Sequence, residues 1–165
     1  MSREIIVDKA KAIKVIKNAG QWLKDSGREV SFWWEPSNLD SDFFSKFAKD
    51  NEFYVVLENG KPVGAAIIQE AQNLQDWSSV DVESYTPAIY LHYLAVERDW
   101  AKKGISDSLL DVAKEIAKAE DVNLVRLDTN ADEPKLRGVY EDYGFKPVKE
   151  LDEGDHRTIL YELKV

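Results

Sequence analysis

The sequence predicts one α/β domain with a mixed sheet, and three observations support this fold class. Apolar residues recur at helical spacing near the amino end, two β-prone runs flank an Asn-Gly pair, and strand and helix patterns then alternate. The 165 residues, of which 44% are hydrophobic, are enough for one packed core. Because no repeat or low-complexity linker divides the chain, we expect a single domain over residues 1–165.

Two helices are predicted before the first strands. The apolar face of the first helix consists of Ala10, Ile13, Ile16, Ala19, Trp22 and Leu23. Gly27 lies just beyond this face, as is common after a helix. Pro36 then interrupts the chain, and Asp40 or Ser41 can cap a second helix, because their side-chain oxygens accept hydrogen bonds from free backbone N–H groups. The apolar face of this helix consists of Phe43, Phe44 and Phe47.

The clearest turn is Asn59-Gly60, because both residues tolerate a positive φ. It joins the β-prone runs 53–57 and 62–68, so we expect a hairpin there. Residues 70–87 have weak periodicity and many polar side chains, which is typical of a loop. The chain resumes an apolar, strand-like pattern at 88–96.

Helix and strand patterns alternate in the remainder of the chain. Gly104 precedes a helix whose apolar face consists of Ile105, Leu109, Val112 and Ile116. Pro134 suits the first turn of another helix, and Gly144 ends that helix. Three more strands are predicted, at 124–127, 145–148 and 158–163. The last two form a terminal hairpin.

Composition excludes several classes of function. The 22 basic and 31 acidic residues give a net charge of −9, which argues against a nucleic-acid partner, because phosphate neutralisation needs clustered Lys and Arg. A cationic partner fits the charge better. No cysteine is present and only His92 and His156 are histidines, so we expect no disulfide, no cysteine nucleophile and no metal. We also expect a cytoplasmic chain without a membrane partner, because no apolar run approaches the length of a membrane helix and the start lacks a secretory signal. The chain length leaves a homodimer open.

The most informative segment lies between the strand at 88–96 and the following helix. The turn is rich in positive charge, from Arg98, Lys102 and Lys103. Gly104 and Ser106 are small and lie where the helix begins, so a ligand can approach the backbone closely. A helix amino terminus presents unpaired N–H groups and partial positive charge, which together bind phosphate or pyrophosphate oxygens. An ordinary turn with a solvated basic patch is the alternative.

The order of motifs over most of the chain resembles the GNAT superfamily of N-acetyltransferases, which transfer acetyl from acetyl-coenzyme A to an amine. Three motifs carry the likeness: Leu94-Ala95-Val96, Ala101-Lys102-Lys103-Gly104-Ile105-Ser106 and Tyr140-Glu141-Asp142-Tyr143-Gly144-Phe145. The loop departs from the family pattern twice, since Ala101 replaces Gln or Arg and Ser106 replaces the second small residue. The resemblance implies a mainly antiparallel central sheet flanked by helices. It also implies direct attack of the amine on acetyl-coenzyme A, the cosubstrate, in a ternary complex.

The resemblance also implies roles for the matching positions. The strand backbone at Leu94, Ala95 and Val96 would pair with the pantetheine arm. The pyrophosphate would be held by the amides of Lys102, Lys103, Gly104, Ile105 and Ser106. Tyr140 falls where the family places the general acid that protonates the departing thiolate.

The sequence alone does not decide which residue acts as the general base. His92 suits the role because its unperturbed pKa, near 6.5, lies close to neutral pH. The run His92-Tyr93-Leu94-Ala95-Val96 also resembles the His-x-Leu-Ala-Val of arylalkylamine N-acetyltransferases, in which that histidine removes a proton. Tyr90 stands where that family has its second histidine. Glu70, Glu97 or water are the alternatives to His92.

The acceptor is predicted only as a small-molecule or peptide amine. Aromatic residues that could line its pocket are Trp33, Trp34, Trp77, Tyr85 and Tyr90, and acidic residues that would favour a cation are Glu35, Asp76, Asp81 and Glu83. A catalytically idle acyl-coenzyme A sensor is the alternative function. A nucleotide-binding protein fits poorly, because neither a Gly-x-x-x-x-Gly-Lys-Ser/Thr nor a Gly-x-Gly-x-x-Gly run exists.

Overall fold

The computed structural model describes residues 2–71, 75–83 and 85–165, with side chains from 77 onward in the second of these ranges. The strands are β1 (Arg3–Val7), β2 (Phe53–Glu58), β3 (Lys61–Gln69), β4 (Ile89–Val96), β5 (Leu124–Asn130), β6 (Lys146–Asp152) and β7 (Arg157–Lys164). The α-helices are α1 (Lys9–Asp25), α2 (Ser41–Ser45), α3 (Ile105–Ala119) and α4 (Pro134–Tyr143). Single 3₁₀ turns lie at Phe32–Trp34, Pro36–Asn38, Asp50–Glu52, Gln75–Ser79 and Arg98–Trp100.

The strands are ordered β1-β2-β3-β4-β5-β7-β6 in one sheet. β4 and β5 run parallel, whereas the pairs β1 with β2, β2 with β3, β5 with β7 and β6 with β7 are antiparallel. The predicted fold class, a mixed and mainly antiparallel α/β sheet flanked by helices, is therefore confirmed.

The chain clusters into two compact units. The first contains Met1–Ile68 and Tyr93–Asp111, and the second contains Gln69–His92 and Val112–Val165. The division falls inside β4, so its first four residues belong to the second unit and its last four to the first.

The first unit is built around α1 and the β2–β3 hairpin. Asp8 and Asp40 cap α1 and α2 through hydrogen bonds from the N–H groups of Lys11 and Phe43, each 2.9 Å long. Asn59 and Gly60 adopt the positive φ values, 50° and 80°, that the predicted turn requires. The core between these elements includes Val15, Ile16, Phe44, Phe53, Val55 and Ile67. Burial of these side chains holds the helix against the strands.

The second unit is built around β5 and β7, which pair over seven residues from Leu124↔Lys164 to Asn130↔Thr158. Its core includes Trp77, Ala88, Tyr90 and Leu160. α4 begins at Pro134 and is followed by Gly144 at φ 123°, as the sequence predicts. β5 extends three residues beyond the predicted 124–127, to Asn130.

β1 was not predicted from the sequence. Its five residues pair with β2 in the register Arg3↔Glu58 to Val7↔Tyr54. Over the part of the chain that the structure describes, no helix has the length and apolar character to cross a membrane.

Candidate functional site

The candidate phosphate-binding segment lies in the first unit and ends at the amino terminus of α3. Lys102 and Gly104 both adopt a positive φ, 61° and 81°, so the chain turns sharply before the helix. The Gly104 carbonyl accepts the first helical hydrogen bond, 3.1 Å from the Ser108 nitrogen. The N–H groups of Ile105 and Ser106 therefore have no acceptor within the helix and are available to a ligand.

The start of α3 is seated directly on β3. Ile105 is 1% exposed, and its Cγ2 lies only 2.3 Å from the position that a β-carbon on Gly64 would take. Leu109, one helical turn later, also lies beside this glycine. Gly64 thus allows the close approach that fixes where the helix begins.

Two of the predicted basic residues are held by aromatic rings. The Arg98 guanidinium lies 4.5 Å from the centroid of the Trp22 ring, and the Lys103 Nζ lies 4.8 Å from that of Trp100. Such stacking leaves the charge in place and orders the side chain. The segment therefore keeps the positive charge that the sequence indicates.

The second half of β4 has an irregular backbone. Tyr93 adopts a φ of 54°, which costs a non-glycine residue about 1–2 kcal/mol. Its hydroxyl donates to the Trp33 carbonyl at 2.5 Å, and its ring stacks on Phe47 with centroids 6.2 Å apart. These contacts compensate for the strain. The irregularity directly precedes Leu94, Ala95 and Val96, whose predicted role in binding pantetheine stays a prediction.

Tyr140 lies in the second unit, near the end of α4. It is 5% exposed, and its ring packs against Phe145 and Tyr161 at centroid distances of 6.1 and 6.0 Å. Burial, together with the nearby charge of Asp128, raises the pKa of the Tyr140 phenol above its ordinary value near 10. The phenol therefore carries its proton at neutral pH, as a general acid must before it donates.

Asp128 is a candidate that the sequence reasoning missed. It lies on β5, in the part of the strand beyond the predicted end, so it was not recognised as a strand residue. Burial of the carboxyl, with a smaller contribution from Glu153, raises the pKa of Asp128 to about 6. The one available signal was its place directly after the predicted strand at 124–127. A carboxyl with this pKa can accept a proton near neutral pH.

His92 is also in the second unit. It is 9% exposed and is the last residue of β4 in that unit. Glu70, the alternative base, follows β3 and is exposed, as is usual for a solvated carboxylate. The structure thus brings the proposed acid and base into one unit and the predicted cofactor-binding residues into the other.

Two of the predicted pocket-lining aromatics, Trp77 and Tyr90, belong instead to the core, at 2% and 1% exposure. Both face the buried Arg126, whose guanidinium carbon lies 4.3 Å from the Trp77 ring centroid. Arg126 also donates to the Tyr90 hydroxyl at 3.1 Å. These two rings are therefore structural.

Two of the predicted acidic residues, Asp81 and Glu35, form ion pairs. Asp81 accepts two hydrogen bonds from Arg126, at 2.8 and 2.9 Å, and Glu35 pairs with Lys24 at 2.8 Å. Their charges are thus already compensated. The Asp76 side chain lies outside the described part of the chain. Trp33, Tyr85 and Glu83 remain exposed.

Within 2–71, 75–83 and 85–165, no group of three or more His, Cys, Asp or Glu side chains is arranged to hold a metal ion.

Several solved structures with the same fold are described as acetyltransferases or N-acetyltransferases. A GNAT-family acetyltransferase from Listeria monocytogenes has 22% identity and a TM-score of 0.72, covering 99% of this chain and 95% of its own. The PaiA N-acetyltransferase from Thermoplasma acidophilum, solved in complex with coenzyme A, has 18% identity and a TM-score of 0.73 over 100% of both chains. The ribosomal-protein-S18-alanine N-acetyltransferase from Escherichia coli has 16% identity and a TM-score of 0.63, covering 99% and 94%.

Sequence comparison gives the family directly. The profile of the Acetyltransferase (GNAT) family matches residues 18–145, which is more than half of the chain. A comparison with curated protein sequences finds no match. This chain belongs to the GNAT acetyltransferase family.

Proposed function

We propose that this protein is an N-acetyltransferase that moves an acetyl group from acetyl-coenzyme A to an amine. The observation that carries the proposal is the amino terminus of α3, where Gly104 at φ 81° precedes free N–H groups within the family match over 18–145. The Thermoplasma relative with coenzyme A bound supports the choice of cosubstrate. Lys102, Lys103 and Ser106 would contribute further amides to the pyrophosphate.

The proposed reaction is direct attack in a ternary complex. The amine nitrogen forms a bond to the acetyl carbon, the carbon–sulfur bond breaks, and the products are an N-acetyl amine and coenzyme A thiol. A backbone N–H of the Leu94, Ala95 and Val96 strand would polarise the acetyl carbonyl. Backbone groups of the same strand would also pair with the pantetheine arm.

Two proton transfers accompany this reaction. Tyr140 would donate its phenolic proton to the departing thiolate, for which the raised pKa keeps the proton available. His92 would accept the proton that the amine loses, directly or through water. Asp128 is a second candidate for that role, because its pKa of about 6 places it near the working range of a base. Glu70 and water are the remaining alternatives.

The acceptor is proposed to be a small-molecule or peptide amine. Among the structural relatives, the Escherichia coli enzyme is named for an alanine of ribosomal protein S18, and the NatC complex was solved with a Gag peptide and coenzyme A. These names support a peptide amino terminus as one class to assay. Because this chain is only 15–16% identical to these two relatives, the acceptor has to be identified by experiment.

The test of cosubstrate binding is calorimetry with acetyl-coenzyme A. Gly104→Asp should weaken binding strongly, because a negative charge would lie beside the proposed phosphate-binding amides and a φ of 81° strains any residue with a side chain. Gly60→Asp is the matched control, since Gly60 has nearly the same φ, 80° against 81°, and open space around its Cα. Equal affinity in the two variants, or no binding by the unaltered protein at millimolar ligand, would contradict the proposal.

Release of coenzyme A thiol then separates an enzyme from an acyl-coenzyme A sensor, the alternative function. The panel should contain small amines, polyamines, amino acids and peptides with free amino termini. Thiol release that depends on one of these amines supports the enzyme. Tight cofactor binding with no release across the panel supports the sensor.

A further inference from the structure

Arg3 of β1 reaches from the sheet to the segment before α3. Its Nη2 donates to the Lys103 carbonyl at 3.1 Å, and its Nη1 donates to the Gly104 carbonyl at 3.4 Å and to the Ser108 hydroxyl at 3.0 Å. Its Nε donates to the Glu58 carboxylate. One guanidinium thus holds two consecutive carbonyls of the proposed diphosphate-binding segment.

The geometry of the peptide bond shows which way the N–H groups of this segment point. In a planar trans peptide, the C=O and the following N–H point in opposite directions. The carbonyls of Lys103 and Gly104 point toward Arg3, so the N–H groups of Gly104 and Ile105 point away from it. These are two of the amides proposed to hold the pyrophosphate. Arg3 therefore fixes the direction of the Gly104 and Ile105 N–H groups from the side opposite the proposed ligand.

Glu58 fixes the guanidinium in turn. Glu58 is 2% exposed and lies opposite Arg3 in the β1–β2 register. Among the described residues, its second oxygen has no hydrogen-bond partner, so its burial depends on the ion pair with Arg3. Arg suits this position because its donors form a rigid planar fork, which a lysine ammonium lacks.

We propose that Arg3 is a positioning residue for cofactor binding, which orients the Gly104 and Ile105 amides toward the diphosphate of acetyl-coenzyme A. The inference rests on the proposed function, because it assigns a purpose to the same amides. It extends that function to β1, a strand that lies outside the family match over 18–145.

The main test variant is Arg3→Lys, which keeps a cation beside Glu58 and loses the fork. Calorimetry should show affinity for acetyl-coenzyme A about tenfold weaker, because charge-assisted hydrogen bonds to two carbonyls are lost. Affinity for S-acetylpantetheine, which has no diphosphate, should change by less than about twofold. Amide hydrogen exchange should become faster at Gly104 and Ile105 and stay unchanged at Val55 in β2.

A second pair of variants separates the loss of amide positioning from a loss of stability. Arg3→Met/Glu58→Gln has no unpaired buried carboxylate, and Glu58→Gln alone is its reference, because the glutamine oxygen can still accept from Nε. The double variant should bind acetyl-coenzyme A about tenfold more weakly than its reference. Equal affinity in both comparisons would overturn the role of Arg3 while leaving the proposed function intact. Absence of binding by the unaltered protein would instead overturn the proposed function.

Discussion

Ile105, the first residue of α3, occupies the space beside Gly64 of β3 that a β-carbon would need. The two residues are 41 positions apart in the chain. Both belong to the first unit, and Ile105 is fully enclosed. The start of the helix is therefore set by a strand residue without a side chain.

Gly64→Ala should lower the free energy of unfolding by about 1–3 kcal/mol, because the added methyl must displace a buried side chain. Urea unfolding measures this change. Acetyl-coenzyme A affinity should fall as well, because Ile105 carries one of the proposed amides. Gly138→Ala is the control: Gly138 lies within α4 with open space around it, so alanine should stabilise by about 0.5–1 kcal/mol. A Gly64→Ala protein as stable as the parent would show that the helix start is free to shift.

Tyr140→Phe should lower kcat about a hundredfold with acetyl-coenzyme A affinity unchanged, because only the transition state uses the phenolic proton. Because burial raises the Tyr140 pKa, the rate should not fall through tyrosine ionisation until pH exceeds about 10. Tyr143→Phe, on the same helix, is the control and should leave kcat within about twofold. An unchanged rate in Tyr140→Phe would mean that the thiolate departs unassisted.

His92→Ala should lower kcat/KM most strongly near neutral pH and recover in part at high pH, where free amine is abundant without help from a base. The measurement is a pH–rate profile with an amine from the acceptor panel. His156→Ala is the control, because that half-buried histidine contacts Asp155 and has no role in the proposed reaction. A profile identical to the parent's would move the base role to Asp128, Glu70 or water.

Asp128→Asn should change how stability depends on pH. The folded-state pKa of about 6 exceeds the ordinary 3.8, so the folded protein binds the extra proton. The stabilising contribution is complete below about pH 4 and is lost as pH rises through 6, by at most about 3 kcal/mol. Urea unfolding at pH 4 and pH 7.5 should therefore show the variant gaining stability relative to the parent at the higher pH. Asp142→Asn, exposed on α4, should show no such gain.

Asp81→Asn should destabilise the second unit by about 3 kcal/mol at neutral pH, because the buried Arg126 charge loses its bidentate partner. The hydrogen bond from Arg126 lowers the Asp81 pKa below 3.8, so this stabilisation is present above pH 4 and lost as pH falls further. Thermal unfolding at pH 7 and pH 3 measures both effects. The exposed Glu83→Gln should leave the melting temperature unchanged at pH 7. A similarly small effect of Asp81→Asn would show that Glu162 suffices for Arg126.

Local signals account for most of what the sequence predicted. Some features depend on backbone preferences within a few residues and can therefore be predicted from a single sequence. Examples are the Asn59-Gly60 turn, the Asp40 cap and the glycine before α3. β1 was missed because its paired residues in β2 lie 47 to 55 positions away and its apolar run is only three residues long. Local patterns do not report such pairings.

The same distinction explains the candidate site. Motif order indicated the Gly104 segment and Tyr140, which are both defined by neighbouring residues. Trp77 and Tyr90 were predicted to line a pocket, but their burial depends on Arg126, which comes from a separate strand. Asp128 was missed for a related reason, since its raised pKa comes from burial in the folded chain, with a smaller contribution from Glu153, 25 residues away.

β6 ends the order of the described strands, and none of those strands pairs with the second side of its backbone. That side is poorly suited to recruiting another chain. Pro147 has no N–H to offer, the register shifts between Pro147 and Lys149, and the charged Lys146, Lys149 and Glu150 are exposed. An extended segment of a second molecule would meet an interrupted ladder and mixed charge there. We therefore expect concentrated solutions of this protein to resist aggregation through strand addition at β6.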